Sequence, residues 1–370
     1  MTDRLQTELQ TIAVAGGLSG LGVCTADPFD DVRTTIEERK ASGLAGRLTF
    51  TYTDPARSTD VRSSFPWAQR LIVGATPYPV GAPTPRATGQ GRVARFATRD
   101  SYAPLRRTLG EIADHLRAAG HRAEVLVDDN RLVDRAAAVR AGVGWWGKNT
   151  MVLAPGLGPW MLLGSVVTDA LLESTGSMSR NCGTCSACLP ACPTGALIGP
   201  GVLDARRCLA AIAQAPGIIP REFRAPMGDR IYGCDDCLEA CPPGRKLLVK
   251  AGESAAGVAD LVTILRSADR TILGRYGHFY IPRRQARYLR RNTLVAIGNT
   301  GDASFVGLLA GYVAHPDWLL RLHSAWALGR IGGLFAGVVL SAAERRETHR
   351  DVRDEIALSL RELHGNEQVR

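Results

Sequence analysis

The first 181 residues of this 370-residue chain contain a single cysteine, Cys24, no apolar run long enough to cross a bilayer, and no hydrophobic leader at their start. Scarce cysteine excludes a disulfide scaffold, the missing apolar run excludes a helical membrane anchor, and the missing leader points to a reducing compartment. The expectation is a soluble, cytoplasmic protein without a membrane partner. Cys24, within Leu21-Gly22-Val23-Cys24, reads as a small buried residue on a strand. Acidic residues are also in deficit: 45 Lys and Arg against 36 Asp and Glu leave a net charge of +9. That suits a polyanionic partner, and equally a solvated arginine-rich surface. With 45% hydrophobic residues, the chain can bury a large core in two or three domains.

What cysteine there is falls into two blocks, Cys182-x2-Cys185-x2-Cys188-x3-Cys192-Pro193 and Cys234-x2-Cys237-x3-Cys241-Pro242, with Cys208 between them. Two-residue gaps let a tight loop aim three thiolates at corners of a cube, and each proline closes its loop at a fixed φ. Zinc sites also use paired C-x2-C elements, but they rarely use four cysteines in one block closed by proline. The spacing predicts two [4Fe-4S] clusters, with the fourth cysteine of the first run crossing to the other cluster. Cys182, Cys185, Cys188 and Cys241 are assigned to one cluster. Cys192, Cys208, Cys234 and Cys237 are assigned to the other.

The segment before the clusters reads as mixed α/β. Leu71-Ile72-Val73-Gly74-Ala75 is a buried strand, and residues 75–92, rich in Pro and Gly, form an irregular excursion that could serve as a lid. Leu105, Leu109, Ile112, Ala113 and Leu116 recur at helical spacing up to the stop at Gly120. Ala123 to Val127 is a strand delivering Asp128 and Asp129 to its C-terminal end. An alanine-rich helix, Ala136 to Ala141, then runs into Gly142, Gly144, Trp145, Trp146, Gly147, Lys148 and Asn149. These glycines allow close backbone approach to a flat ligand, or simply cap a helix over two core tryptophans. A second loop, Gly156 to Trp160, leads into an apolar strand from Met161 to Val167. In the last third, Arg287 to Asn299 and Leu319 to Gly332 share a pattern of Arg, small residues, Leu and Gly offset by about thirty residues, a HEAT-like helical period.

The order of Gly-Trp-x-Gly-Lys-Asn, Gly-x-Trp-x-x-x-Gly, the Cys182–Pro193 run with its following Thr-Gly-Ala, Leu-Asp-Ala-Arg-Arg-Cys ending at Cys208, and Met-Gly-Asp-Arg-Ile-Tyr-Gly-Cys-Asp-Asp-Cys ending at Cys237 resembles the epoxyqueuosine reductase family. The resemblance spans roughly residues 10–335. It implies an α+β multidomain protein: a nitroreductase-like cobalamin domain (1–172) related to reductive dehalogenases, a double [4Fe-4S] ferredoxin-like domain (173–250), and HEAT-like helices (251–370). It further implies that Gly144, Trp145, Gly147, Lys148, Asn149, Gly158 and Trp160 line the corrin, and that epoxyqueuosine in the tRNA wobble position is reduced to queuosine. Asp128, matching the family's Val-Asp at a strand end, is the expected catalytic acid; its other reading is an N-cap for the following helix. Asp134 is the alternate carboxylate, expected rather on that helix's surface beside Arg135.

Partners implied are a tRNA anticodon stem-loop and an external one-electron donor such as flavodoxin or ferredoxin, with the protein a monomer. Arg283, Arg284, Arg287, Arg290 and Arg291 are candidates for neutralising tRNA phosphates. The chain departs from the family's usual Tyr-His at Tyr102-Ala103, from its usual stretch after the isolated cysteine at Leu209 to Gln214, and from Cys-Pro-Trp-Asn at Cys241-Pro242-Pro243-Gly244. These departures bear on substrate recognition, leaving as alternatives a cobalamin- and iron–sulfur-dependent reductase of a small molecule, and a non-enzymatic electron-transfer or scaffold protein.

Overall fold

Leu71, Ile72, Val73 and Ala75 do form the expected buried strand, lengthened to Arg70–Pro77 (β2). It pairs with Gly20–Thr25 (β1) on one side and Met161–Thr168 (β4) on the other, and Ala123–Leu126 (β3) completes the order β1-β2-β4-β3. Every pairing is antiparallel. In this computed structural model, which describes residues 2–78, 81–83, 87–251, 253–254 and 257–367, β3 is therefore an edge strand, and its C-terminal end opens towards loops rather than into a parallel-sheet crevice.

A glycine pair lets a helix lie on this sheet. Gly74 sits opposite Gly164; a Cβ at Gly74 would come 2.9 Å from Leu18 Cδ1, and one at Gly164 would come 2.7 Å from Leu109 Cδ1. Into the space left by the missing methyls packs Tyr102–Ala118 (α1), burying Leu105, Leu109, Ile112, Ala113 and Leu116, and Gly120 follows with φ +88°. The other face carries Phe29, Ile36, Leu132 and the buried alanines of Asp134–Arg140 (α2). Cys24 is buried on β1, its thiol pushed up to about 11 by desolvation, as a structural cysteine should be.

The chain divides into two compact units whose boundaries differ from those the motifs suggest. The first comprises residues 1–82, 99–208 and 235–252; the second comprises 83–98, 209–234 and 253–370. The cysteine-rich segment is thus shared out rather than forming a body of its own. The excursion at 75–92 is also reassigned. Residues 79–80 and 84–86 lie outside the described residues, while Gln90–Val93 is a strand of the second unit, parallel to Arg230–Tyr232 and antiparallel to Val258–Asp260.

The rest of the second unit is a helical array: Arg287–Thr300 (α3), Val306–Val313 (α4), Trp318–Ile331 (α5), Leu334–Glu344 (α6) and Arg350–Glu367 (α7). The glycines of the repeated pattern are its contact points. A Cβ on Gly298 would stand 2.8 Å from Ala327 Cα, and one on Gly329 would stand 2.6 Å from Ser359 Cβ, so α3 packs closely on α5 and α5 on α7. The arginine stretch proves mostly internal. Arg291 is 1% exposed, and its guanidinium donates to the carbonyls of Ile212, Ala213, Ala215 and Gly217 and to Asn292 Oδ1. Arg290 pairs with Asp269, Arg287 with Asp317, and Arg284 donates to the carbonyls of Leu273, Gly277 and Phe279. Capping orphan carbonyls demands a planar fork of donors, which arginine supplies and lysine does not. Arg283, with φ +51°, and Arg284 are the exposed members.

Candidate functional site

The thiols of Cys182, Cys185 and Cys188 lie near enough to Cys241 to act on its titration. Cys241, 7% exposed, packs with Trp145 and Leu153, with Cys182 and Met178 against them. Its thiol is pushed up to about 11, first by burial and then by the neighbouring thiols of Cys182, Cys188 and Cys185. Four thiolates in one place repel one another unless a cationic centre binds them. Cys192 is prepared differently: the Ala196 amide donates to its Sγ at 3.2 Å, and amides from Thr194 to Leu197 hold its thiol below the usual range despite burial. Such donors favour thiolate and tune the potential of any cluster it ligates. Cys208 directly follows the exposed Arg206 and Arg207, and Cys237 lies on the short helix Asp236–Glu239. Cys234 closes a segment of the second unit.

The Gly144–Asn149 loop is a hairpin in which Trp145 pairs with Leu153 and Trp146 with Val152. Its glycines answer to the protein itself, because a Cβ on Gly144 would come 2.3 Å from Leu153 O and one on Gly147 2.5 Å from Asn149 Oδ1. Lys148 Nζ donates to Gly183 O at 2.7 Å, clasping the loop between Cys182 and Cys185. Trp160 is fully buried and donates to Gly244 O at 3.2 Å, and a Cβ on Gly158 would lie 2.4 Å from Gly244 N. Gly158, Trp160 and Lys148 therefore position the cysteine loops. They also explain a departure: any side chain at position 244 would strike Trp160 Nε1, 2.4 Å from the Cβ position.

What remains free to meet a ligand is polar and buried. Among the described residues, ten buried side-chain polar atoms lack a hydrogen-bond partner, and six lie in the first unit: Thr76 Oγ1, Ser101 Oγ, Asp134 Oδ1, Trp145 Nε1, Asn149 Nδ2 and Ser165 Oγ. An unsatisfied buried group costs about 1–3 kcal/mol, so each of these atoms is one that a bound group could partner. A corrin ring edged with amide side chains carries both donors and acceptors. Trp145 and Asn149, of the seven residues expected to line it, fit that group.

Asp128 lies just past β3 with φ +55°, a left-handed conformation that is sparsely populated outside glycine and concentrates at functional sites. It does not cap α2, whose first flanking residue is Val133 and lacks a side-chain cap bond. With Arg57, Asp129, Asn130 and Arg131 it lines a cleft of about 460 Å³. Burial raises its pKa, with Arg106 opposing and Asp129 adding to the rise. Because the residue stays reachable by solvent, this is a carboxyl at the mouth of a cleft, not one sealed in a core. Asp129 is pushed the other way: Arg131 grips both its oxygens, at 2.9 and 2.7 Å, and holds it below the usual range. Adjacent carboxyls with opposed environments are how a site separates an acid from a fixed anion.

Two residues gain importance that the sequence does not announce. Tyr102 is half-buried at the start of α1, its hydroxyl pushed well up by burial and by the fields of Asp128 and Asp134. Asp134 is not on the helix surface beside Arg135. Its Oδ1 is buried without a partner, while Arg135 turns out to donate to Thr150 O at 3.3 Å. The signal was present: position 134 shares a helical face with Ala138, and Ala136 to Ala138 are all buried. Ala103, the departure next to Tyr102, is exposed, with its amide bonded to Asp100 Oδ1, and Leu209 to Gln214 is a packing helix whose carbonyls satisfy Arg291.

Comparison with known proteins agrees with this anatomy. Residues 181–244 match the model of the 4Fe-4S double cluster binding domain, and residues 282–361 match that of HEAT repeats. The chain is 31% identical to the epoxyqueuosine reductase of Staphylococcus aureus, covering 90% of each protein, and 31% identical to that of Bacillus subtilis, covering 95% of this chain and 94% of the other. An epoxyqueuosine reductase solved with an epoxyqueuosine-modified tRNA-Tyr stem loop superposes with a TM-score of 0.90 at 29% identity, over 98% of this chain and 100% of that one. The B. subtilis enzyme, solved with its catalytic aspartate loop swung out of the active site, superposes with a TM-score of 0.89 at 28% identity, over 98% and 100%. Paired cysteine blocks, helical repeats and an aspartate on a strained loop occur here in one full-length correspondence, and the chain belongs to the epoxyqueuosine reductase family.

Proposed function

We propose that the protein is an oxidoreductase that converts epoxyqueuosine to queuosine at the wobble position of tRNA. The observation that carries this reading is the match along nearly the whole chain to an enzyme held with an epoxyqueuosine-modified stem loop. The reaction removes the oxirane oxygen as water: two C–O bonds break, one C=C bond forms, and two electrons and two protons are consumed. No helix among the described residues is long and apolar enough to cross a membrane; in this reading the protein is a cytoplasmic monomer that meets tRNA by its anticodon stem-loop.

The residues divide the work as follows. Cys182, Cys185, Cys188 and Cys241 hold one [4Fe-4S] cluster and Cys192, Cys208, Cys234 and Cys237 the other, refilled by an external one-electron donor of the flavodoxin or ferredoxin class. Trp145 and Asn149, with Thr76, Ser101 and Ser165, offer unpartnered polar atoms to cobalamin, which when bound and reduced supplies the low-potential electrons that no side chain can. Asp128 is the acid that protonates the oxirane oxygen, its pKa raised by desolvation. Asp129, locked to Arg131, stays anionic and holds the loop.

Nucleoside analysis of tRNA from a strain lacking the gene tests the reading. Epoxyqueuosine should accumulate and disappear when the gene is restored. Unchanged queuosine would overturn it.

A further inference from the structure

The reaction needs two protons, and Asp128 carries one. The second has no source among the ionised groups of the cleft or those acting on Asp128: Asp129 is committed to Arg131, and Arg57 and Arg131 in the cleft, with Arg106 and Arg135 near Asp128, are guanidinium ions that do not release protons at neutral pH. Water can supply it only if the site stays wet, at the expense of the electrostatics that a dry site provides.

Within electrostatic reach of Asp128 lies a second carboxyl, that of Asp134. Asp134 opens α2, yet its Oδ1 is buried and accepts no hydrogen bond. A buried, unpartnered carboxylate oxygen is costly, whereas the protonated carboxylic acid is tolerated. We infer that Asp134 is a proton-holding carboxylic acid that acts through Asp128, returning a proton to it after the first transfer. The inference rests on the reaction proposed above. In balance, Asp128 gives its proton to the oxirane oxygen as one C–O bond breaks; Asp134 gives its proton to the Asp128 carboxylate; Asp128 then protonates the departing hydroxide, which leaves as water. The two electrons would be supplied by cobalamin when bound and reduced through the [4Fe-4S] clusters. Bulk solvent reloads Asp134 between turnovers.

Every charged or titratable group facing Asp134 fits this role. Asp128 and Asp129, from the loop after β3, disfavour its ionisation, and only Arg135 on its own helix favours it. From α1, Tyr102 lies in the field of both Asp128 and Asp134, and Arg106 faces Asp128. Burial acts in the same direction as the two aspartates and outweighs the arginine, so the acid form persists at pH values where an exposed aspartate is ionised. Asp134 is in this sense a positioning residue for protons, with Asp128 as the group that touches substrate.

The test begins on the protein without substrate. Infrared difference spectra of wild type against Asp134→Asn at pH 7 should show a protonated-carboxyl C=O band present in the first and absent in the second, with iron content equal. On epoxyqueuosine-bearing stem loop, Asp134→Asn should lower kcat by 10-fold or more at unchanged KM and move the alkaline fall of the rate to lower pH, while Asp134→Glu recovers part of both. Absence of the band in wild type, or a variant with normal kcat and pH profile, overturns the inference. A band lost in the variant while even wild type fails to turn over epoxyqueuosine would keep the protonated Asp134 and refute the substrate. Loss of iron in Asp134→Asn, unrescued by Asp134→Glu, would make the residue structural and refute the inference.

Discussion

Replacing Asp128 with Asn separates a catalytic carboxyl from a structural one, because the two roles predict opposite changes in stability. Asn keeps the size and accepting oxygen of the side chain and is among the residues most tolerant of the left-handed φ of +55° found here. Burial raises the native pKa of Asp128, so the folded state binds the proton more tightly than the unfolded chain. The sign follows: this carboxyl costs no stability below the unfolded value near 4, and stability is lost as pH rises from there through the folded pKa. Asn removes that loss. The variant should therefore be as stable as wild type at pH 4 and equal or better at pH 7, with a flatter dependence between them in urea titrations. Turnover should move the other way. Losing a general acid costs about 10²- to 10⁴-fold, or about 2.7 to 5.5 kcal/mol of barrier, with iron content unchanged. A variant that loses stability at pH 7 and retains most activity would refute the assignment and make Asp128 a loop anchor.

Arg291→Leu should lower stability by about 3–5 kcal/mol by stranding the carbonyls of Ile212, Ala213, Ala215 and Gly217, without changing the salt slope of tRNA binding. Arg283→Ala should do the reverse, reducing that slope by about 0.7 to 0.9 if the exposed guanidinium meets one phosphate, with no change in melting temperature. Gly244→Ala would force a Cβ to 2.4 Å from Trp160 Nε1; the loop carrying Cys241 must shift, and one cluster's worth of iron should be lost on anaerobic purification. Cys208→Ala should remove the other cluster and spare the first, read by electron paramagnetic resonance of the reduced protein; retention of both would refute the crossed ligand sets.

The sequence made the chemistry of the cysteines legible and left their supports unread. Ligand spacing is a local code: Cys182, Cys185 and Cys188 lie within seven residues, and the proline after each block marks where the loop stops. The helical repeat was readable for the same reason, since Gly298 and Gly329 recur where one helix must approach the next. Tertiary employment is not written locally. Trp160 and Lys148 sit in motifs that suggest ligand contact, yet their partners, Gly244 and Gly183, are 84 and 35 residues away. Arg287, Arg290 and Arg291 have the composition of a phosphate patch, and only the position of distant carbonyls and carboxylates turns them inward. The same distinction governs the two aspartates. Asp128 was found because a strand end fixes it, whereas Asp134 needed a count of which helical face is buried. A single aspartate at a cleft mouth can start the removal of an oxirane oxygen; its neighbour, with one carboxyl oxygen buried and unpartnered, is what the fold would have to retain if the second proton is to arrive along the same route.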